Sequence, residues 1–128
     1  MTKKLLHQDI VEITKQNDWF RKEVITGEHS QGMLMCIKPG EEIGEEVHMV
    51  DQALVFVTGR GEAVVEGVSE AFDEGDLFFV PAGTKHNFKN TGTEPLKLFT
   101  VYAPSEHVAG TNHQTKEDAK NDPNDIHE

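Results

Sequence analysis

Short runs of β-branched and aromatic residues, each stopped by glycine, proline or a small polar turn, fill the sequence from residue 18 to residue 103. Turn signals that recur about every eight to twelve residues are typical of an all-β sandwich or barrel. No window in this span keeps a helical period over three turns. The pattern therefore predicts one all-β domain, with strands in the following runs: 19–26, 33–38, 54–58, 62–66, 77–80, 86–90 and 96–102.

The size and composition fit a soluble globular domain that needs no covalent cross-link. The chain has 128 residues, of which 36% are hydrophobic and 27% are charged. A domain of this length can bury a core without disulfides or a structural metal. Cys36 is the single cysteine, so no intrachain disulfide can form. We expect Cys36 to be a small buried apolar residue, which is compatible with a reducing compartment.

The charge and the first residues exclude several kinds of partner. A formal net charge of −11 argues against nucleic acid and anionic membranes, because phosphate contacts need lysine and arginine. The two lysines near the N-terminus are not followed by an apolar run, so we do not expect a signal peptide. No stretch approaches the roughly 20 apolar residues that cross a bilayer. We expect a cytoplasmic protein.

The two ends of the chain differ from its middle. Residues 1–17 are polar with scattered apolar positions, and we predict a strand or an arm that lies across the body. Residues 105–128 hold six acids, two lysines and three histidines, and cannot bury enough surface to fold alone. They form either a mobile tail or a strap. The predicted organisation is an N-terminal arm (1–17), a barrel (18–104) and a polar, acidic C-terminal tail (105–128).

The sharpest motif lies between Gly75 and Asn90. It reads Gly75, five residues, Pro81, one residue, Gly83, two residues, His86, three residues and Asn90. Gly75 makes the turn into a strand, and Pro81 and Gly83 end that strand and begin the return. This pattern resembles the second conserved motif of the cupin superfamily at every defined position.

The first cupin motif is recognisable but altered. Its usual pattern is Gly, five residues, His-x-His, three or four residues, Glu, six residues and Gly. Here Gly40 and Gly59 keep the glycine frame, while Glu46 replaces the first histidine and Gln52 replaces the glutamate. The chain also resembles a subgroup of small bacterial cupins with Glu-Val-His and Asp-Gln, over roughly residues 18 to 120.

The resemblance implies a double-stranded β-helix, or jelly-roll, barrel with polar N- and C-terminal extensions and a metal site at its mouth. The implied ligands are Glu46, His48, Gln52 and His86. The first three share strand parity and can all face inward, whereas Glu45 would face outward. The two imidazoles and two oxygen donors suit a divalent ion, and Mn, Fe, Ni and Zn all fit. The alternative is a site that has lost its metal.

These ligands predict a metal-dependent enzyme that acts on a small, oxygen-rich substrate. The chemistry is either isomerase- or epimerase-like, with Glu46 as a candidate base, or dioxygenase-like with iron. The alternative is a non-catalytic small-molecule-binding or structural module.

We find no nucleophile elbow, phosphate loop or nucleotide fingerprint. His107 and His113 either fold over the barrel mouth as a lid, supply a proton-transfer group, or are simply exposed. Resemblance also implies a homodimer, for which residues 1–17 are the candidate swapped arm.

Overall fold

The computed structural model describes residues 5–123, and the outermost residues of the predicted arm and tail (1–4 and 124–128) lie outside this range. The elements, in chain order, are α1 Ile10–Gln16, β1 Arg21–Thr26, β2 Gln31–Ile37, β3 Asp51–Thr58, β4 Gly61–Val65, β5 Val68–Phe72, β6 Leu77–Val80, β7 His86–Asn90, β8 Leu96–Ala103, β9 Asn112–His113 and α2 Lys116–Lys120. The predicted all-β fold class is confirmed, since the body is built from antiparallel strands.

The strands form two antiparallel sheets that enclose the core. The larger sheet has the order β6-β3-β8-β2-β1-β9, and the smaller one has the order β5-β4-β7. Phenylalanines from both sheets meet between them, with ring centroids 4.1 Å apart for Phe56 and Phe72 and 5.4 Å apart for Phe56 and Phe88. Strand alternation produces this core, because every second side chain of β3 and β8 points inward.

The glycines of the second motif have a conformational role. Gly75 and Gly83 adopt φ values of +87° and +83°, where a side chain would be strained. The Gly75 N–H donates to the carbonyl of Phe56 at 2.7 Å, and the Gly83 N–H donates to the carbonyl of His48 at 2.7 Å. The turns on either side of β6 are therefore tied to the first motif by backbone hydrogen bonds.

The N-terminal segment contains a helix where a strand or an arm was predicted. Asp9 caps α1, and its side chain accepts a hydrogen bond from the Glu12 N–H at 3.1 Å. The Asp-x-x-Glu spacing is a helix-start signal that outweighs the β-branched residues Ile10, Val11 and Ile13. Helix α1 lies against β3 and β8 of its own chain, and the Lys97 ammonium donates to the carbonyl of Lys15 at 2.7 Å.

The C-terminal segment lies on the barrel as far as it is described. Strand β9 pairs with β1, and α2 is held by a capping box at Thr115 and Asp118. Cys36 is buried, as predicted. Neither of the helices found between residues 5 and 123 is long and apolar enough to cross a membrane.

Candidate metal centre

A backbone bridge brings the two motifs together. Glu46 and His86 form an isolated antiparallel pair, in which the Glu46 N–H donates to His86 O at 2.8 Å and the His86 N–H donates to Glu46 O at 2.9 Å. Residues opposed in this way bring their side chains to the same face of the pair. The bridge therefore places the Glu46 carboxylate beside the His86 imidazole.

His48 completes a cluster of three candidate ligands. One ligand atom from each of Glu46, His48 and His86 lies within 4.8 Å of the other two, and both imidazoles are buried. His48 Nε2 lies 3.3 Å from Glu46 Oε1, and the ring centroids of His48 and His86 are 5.3 Å apart. The group could hold a metal ion.

Hydrogen bonds to Nδ1 fix how both imidazoles are presented. His48 Nδ1 lies 2.7 Å from a carboxylate oxygen of Glu106, and His86 Nδ1 lies 2.8 Å from the carbonyl oxygen of Thr84. Within residues 5–123, the buried Nε2 of His86 has no hydrogen-bond partner, and the buried Nε2 of His48 faces the Glu46 carboxylate at 3.3 Å. A histidine held at Nδ1 and unsatisfied at a buried Nε2 fits a metal ligand.

Gln52 is buried on β3, where its amide is only half satisfied. Its Nε2 donates to Thr100 Oγ1 at 3.0 Å, while its Oε1 is buried without a hydrogen-bond partner in the described range. The backbone of Gln52 pairs with that of Tyr102, whose ring meets the His48 ring edge-on at 5.7 Å. Gln52 thus offers a buried oxygen from β3, and its partner residue on β8, Tyr102, contacts His48.

Glu46, His48 and Gln52, which were predicted to share strand parity, do not lie on one continuous strand. The chain bends at Met49 and Val50, and β3 begins only at Asp51. The reason is that Glu46 pairs with the first residue of β7, in the smaller sheet, whereas Gln52 pairs within the larger sheet. The side chains are nevertheless buried as strand parity predicted. Glu46, His48 and Gln52 are mostly or fully buried, and Glu45 is exposed.

The electrostatic environment drives the pKa values of the two imidazoles in opposite directions. Burial works against a charged His48, but hydrogen bonding and attraction to Glu106 and Glu46 outweigh it and raise the His48 pKa to about 9. Burial lowers the pKa of His86, and the nearby His48 charge lowers it further. The pKa of Glu46 is also lowered, since contact with His48 and the charges of Arg21 and His86 outweigh its burial.

Sequence reasoning found only part of the surroundings of the ligands, because it singled out His107 and His113 but not Glu106. Glu106 lies in the segment interpreted as a tail, and its role depends on a contact 58 residues away in sequence. His107 is buried with its ring 5.2 Å from that of Tyr102, and Gln31 hydrogen-bonds both its N–H and its carbonyl. His113 is also buried and contacts Arg21 and Asp122. Both histidines are buried, so the alternative that they are simply exposed is wrong. For Glu106 the sequence signal was the density of histidine and acid after residue 104.

The raised pKa of His48 predicts how the stability of the metal-free protein varies with pH. A folded-state pKa of about 9 against an unfolded value of 6.5 contributes stability that is complete below pH 6.5 and is lost as pH rises through about 9. The loss is on the order of 3 kcal/mol at most. Urea unfolding in chelator at a series of pH values should show this decline. In His48→Gln the decline should disappear, and an unchanged slope would contradict the assignment.

Comparison with known proteins supports one family. Residues 33–102 match the model of the Cupin domain family. The uncharacterised protein YrkC of Bacillus subtilis is 47% identical over 115 residues, which are 83% of this chain and 61% of YrkC. The chain thus spans about three fifths of that relative. A mannose-1-phosphate guanylyltransferase of Salmonella montevideo is 28% identical over 97 residues, which are 74% of this chain and only 21% of that enzyme.

Solved structures agree on the fold. A crystal structure of a Bacillus halodurans protein superposes with a TM-score of 0.89 at 40% sequence identity, covering 91% of this chain and 94% of that one. With its fold, its two motifs, of which only the first is altered, and these relatives, the chain belongs to the cupin family.

Proposed function

We propose that this cupin binds a divalent metal ion through Glu46, His48, Gln52 and His86, and that it is a metal-dependent enzyme acting on a small, oxygen-rich organic substrate. The observation that carries the proposal is the pair of imidazoles, each held at Nδ1 and each with a buried Nε2: within the described range, that of His86 has no hydrogen-bond partner, and that of His48 faces the Glu46 carboxylate at 3.3 Å. Leaving a buried atom such as His86 Nε2 unsatisfied costs about 1–3 kcal/mol, which ligation would offset.

The donor set fits the proposed ion. Two imidazoles and one carboxylate are the ligands of the facial triad in non-haem iron oxygenases, and the Gln52 oxygen adds a neutral fourth donor. Four protein ligands leave two positions of a six-coordinate ion for substrate or water. A bound ion would supply Lewis-acid polarisation of a substrate oxygen or, with iron, redox chemistry.

The residues of this chain have distinct roles in the proposal. Glu106 keeps the His48 proton on Nδ1, so that Nε2 faces the ligand cluster. The lowered pKa of Glu46 favours a carboxylate that stays ionised, which supports ligation more than base catalysis. In an isomerase-like reaction, the same carboxylate oxygen would have to leave the ion in order to accept a substrate proton.

We also propose that the protein is a homodimer that uses the outer face of the larger sheet. Leu77 and Phe79 of β6 are 63% and 62% exposed, and they lie beside Val55 and Ala53 of β3 in the sheet. Phe99 of β8 continues the same row next to Val55. A contiguous apolar sheet face of this kind, only partly covered by α1, supports association with a second copy.

Metal analysis tests the ligand set. We expect His86→Ala and Glu46→Ala to weaken binding of Mn²⁺ or Fe²⁺ by about 100-fold or more, and Glu106→Gln to weaken it by about tenfold through the orientation of His48. If Gln52 ligates, Gln52→Leu should weaken binding and Gln52→Glu should strengthen it, since the new carboxylate carries charge. Calorimetric titration of each folded variant measures these changes.

The matched control for metal binding is His29→Ala, because the His29 side chain is exposed and outside the cluster. This variant should bind metal as the unmodified chain does. If His86→Ala and Glu46→Ala also retain full affinity, the metal proposal is wrong.

Oxygen consumption separates the two enzyme classes. With Fe²⁺ and a panel of hydroxycarbonyl and sugar substrates, a dioxygenase should consume one O₂ for each substrate, measured with an oxygen electrode. An isomerase should interconvert substrates without consuming O₂, which NMR of the mixture would detect. A metal-loaded protein that binds these compounds but turns over none of them would instead support the non-catalytic binding module.

The dimer interface can be tested by introducing charge. Leu77→Glu combined with Phe79→Glu should shift the protein from dimer to monomer in light scattering, because two buried carboxylates would cost several kcal/mol. Val68→Glu is the control, since Val68 is 70% exposed and lies on the smaller sheet. A monomeric mass for the unmodified chain would exclude the proposed dimer.

A further inference from the structure

A cavity of about 390 Å³ lies beside the ligand cluster, between the start of β1, the segment 43–46 and helix α2. This volume is at the lower end of the range for small-molecule sites, about 300–1,000 Å³. Its apolar walls come from Phe20, Ile43 and Ala119, each no more than 9% exposed. The cavity is therefore a place where a short organic molecule could bind.

The charged residues of the cavity are unusual for this chain. Arg21, Lys116 and Lys120 line it together with Glu45 and Glu46, although acids outnumber bases by 23 to 12 in the whole sequence. Glu45 is turned towards Lys85, 3.7 Å away. The Glu46 carboxylate faces His48. Three cations and two carboxylates thus line the cavity, where Glu45 is turned towards Lys85 and Glu46 lies between His48 and the charge of Arg21.

The buried cation is held in a defined position. Arg21 is 1% exposed, with Nη1 3.3 Å from His113 Nδ1 and with its guanidinium 5.1 Å from the centroid of the Phe20 ring. His113 is in turn fixed by Asp122, 2.9 Å from its Nε2. Lys116 donates to the carbonyl of Glu42 at 2.7 Å, and its ammonium has two further protons to donate.

Glu46 connects this cavity to the candidate metal centre, because it lies in the cavity wall and in the ligand cluster. A molecule in the cavity would therefore lie beside the cluster, with cationic groups from β1 and α2 around it. Guanidinium and ammonium groups bind carboxylates through charge-assisted hydrogen bonds.

We propose that this cavity binds a small organic carboxylate with a short apolar body and a second oxygen group. The carboxylate lies among Arg21, Lys116 and Lys120, the body contacts Phe20 and Ile43, and the second oxygen group points towards Glu46. This inference deepens the proposed function. The position of the second oxygen group rests on the proposed metal site, whereas the carboxylate site rests only on the residues that line the cavity. The substrate is thus an organic acid that presents its hydroxyl or carbonyl oxygen, rather than its carboxylate, to the metal centre.

Calorimetric titration with 3-hydroxybutyrate, compared with the neutral 3-hydroxybutyramide, tests this placement. We expect the carboxylate to bind at least about tenfold more tightly than the amide, both in metal-loaded protein and in protein kept metal-free with a chelator. A preference that disappears without metal would place the carboxylate on the ion and overturn the inference. A preference that persists when no metal binds at all would support the cavity and refute only the proposed metal function.

Paired lysine variants provide the second measurement. Lys116→Gln combined with Lys120→Gln should weaken 3-hydroxybutyrate about tenfold, leave the amide unchanged and leave metal affinity unchanged. The matched control is Lys22→Gln combined with Lys38→Gln, which removes the same charge from exposed positions outside the cavity. Equal weakening by both pairs would mean that only net charge matters, and it would also overturn the inference.

Discussion

The pair of backbone hydrogen bonds between Glu46 and His86 is the constraint on which the candidate site depends. These bonds join a segment that precedes β3 of the larger sheet to the first residue of β7 in the smaller one. The carbonyl of His48 is fixed to the same region by the Gly83 N–H. Because backbone bonds hold all three ligand positions, the cluster does not depend on side-chain contacts alone for its geometry.

The C-terminal segment is part of the site, although its composition is that of a tail. It supplies Glu106 to His48, His107 to the ring of Tyr102 and His113 to Arg21. It also contributes α2 to the wall of the neighbouring cavity. A polar segment can order in this way because its buried polar groups find partners on the barrel, so that burial carries little net desolvation cost.

The altered first motif changes where charge lies in this cupin. Glu46 places the carboxylate on the bridge beside His86, and Gln52 leaves a neutral amide on β3. With Glu106 on its other side, His48 lies between two carboxylates, which explains its raised pKa. Glu46 also lines the cavity that holds Arg21, Lys116 and Lys120. The residue that departs from the usual motif is therefore the one that lies between the candidate metal centre and the proposed carboxylate site.

The sequence determined the all-β fold and the burial of Glu46, His48, Gln52 and His86, because strand alternation and turn glycines are local signals. The cap signal of α1 at Asp9 is also local, although the sequence of residues 1–17 was interpreted as a strand or an arm. Only the tertiary structure decided that the first motif is split between two sheets and that Glu106 contacts His48. It alone placed Arg21 and α2 around one cavity. These features join residues far apart in sequence, and neither side-chain periodicity nor motif spacing encodes which distant segments meet.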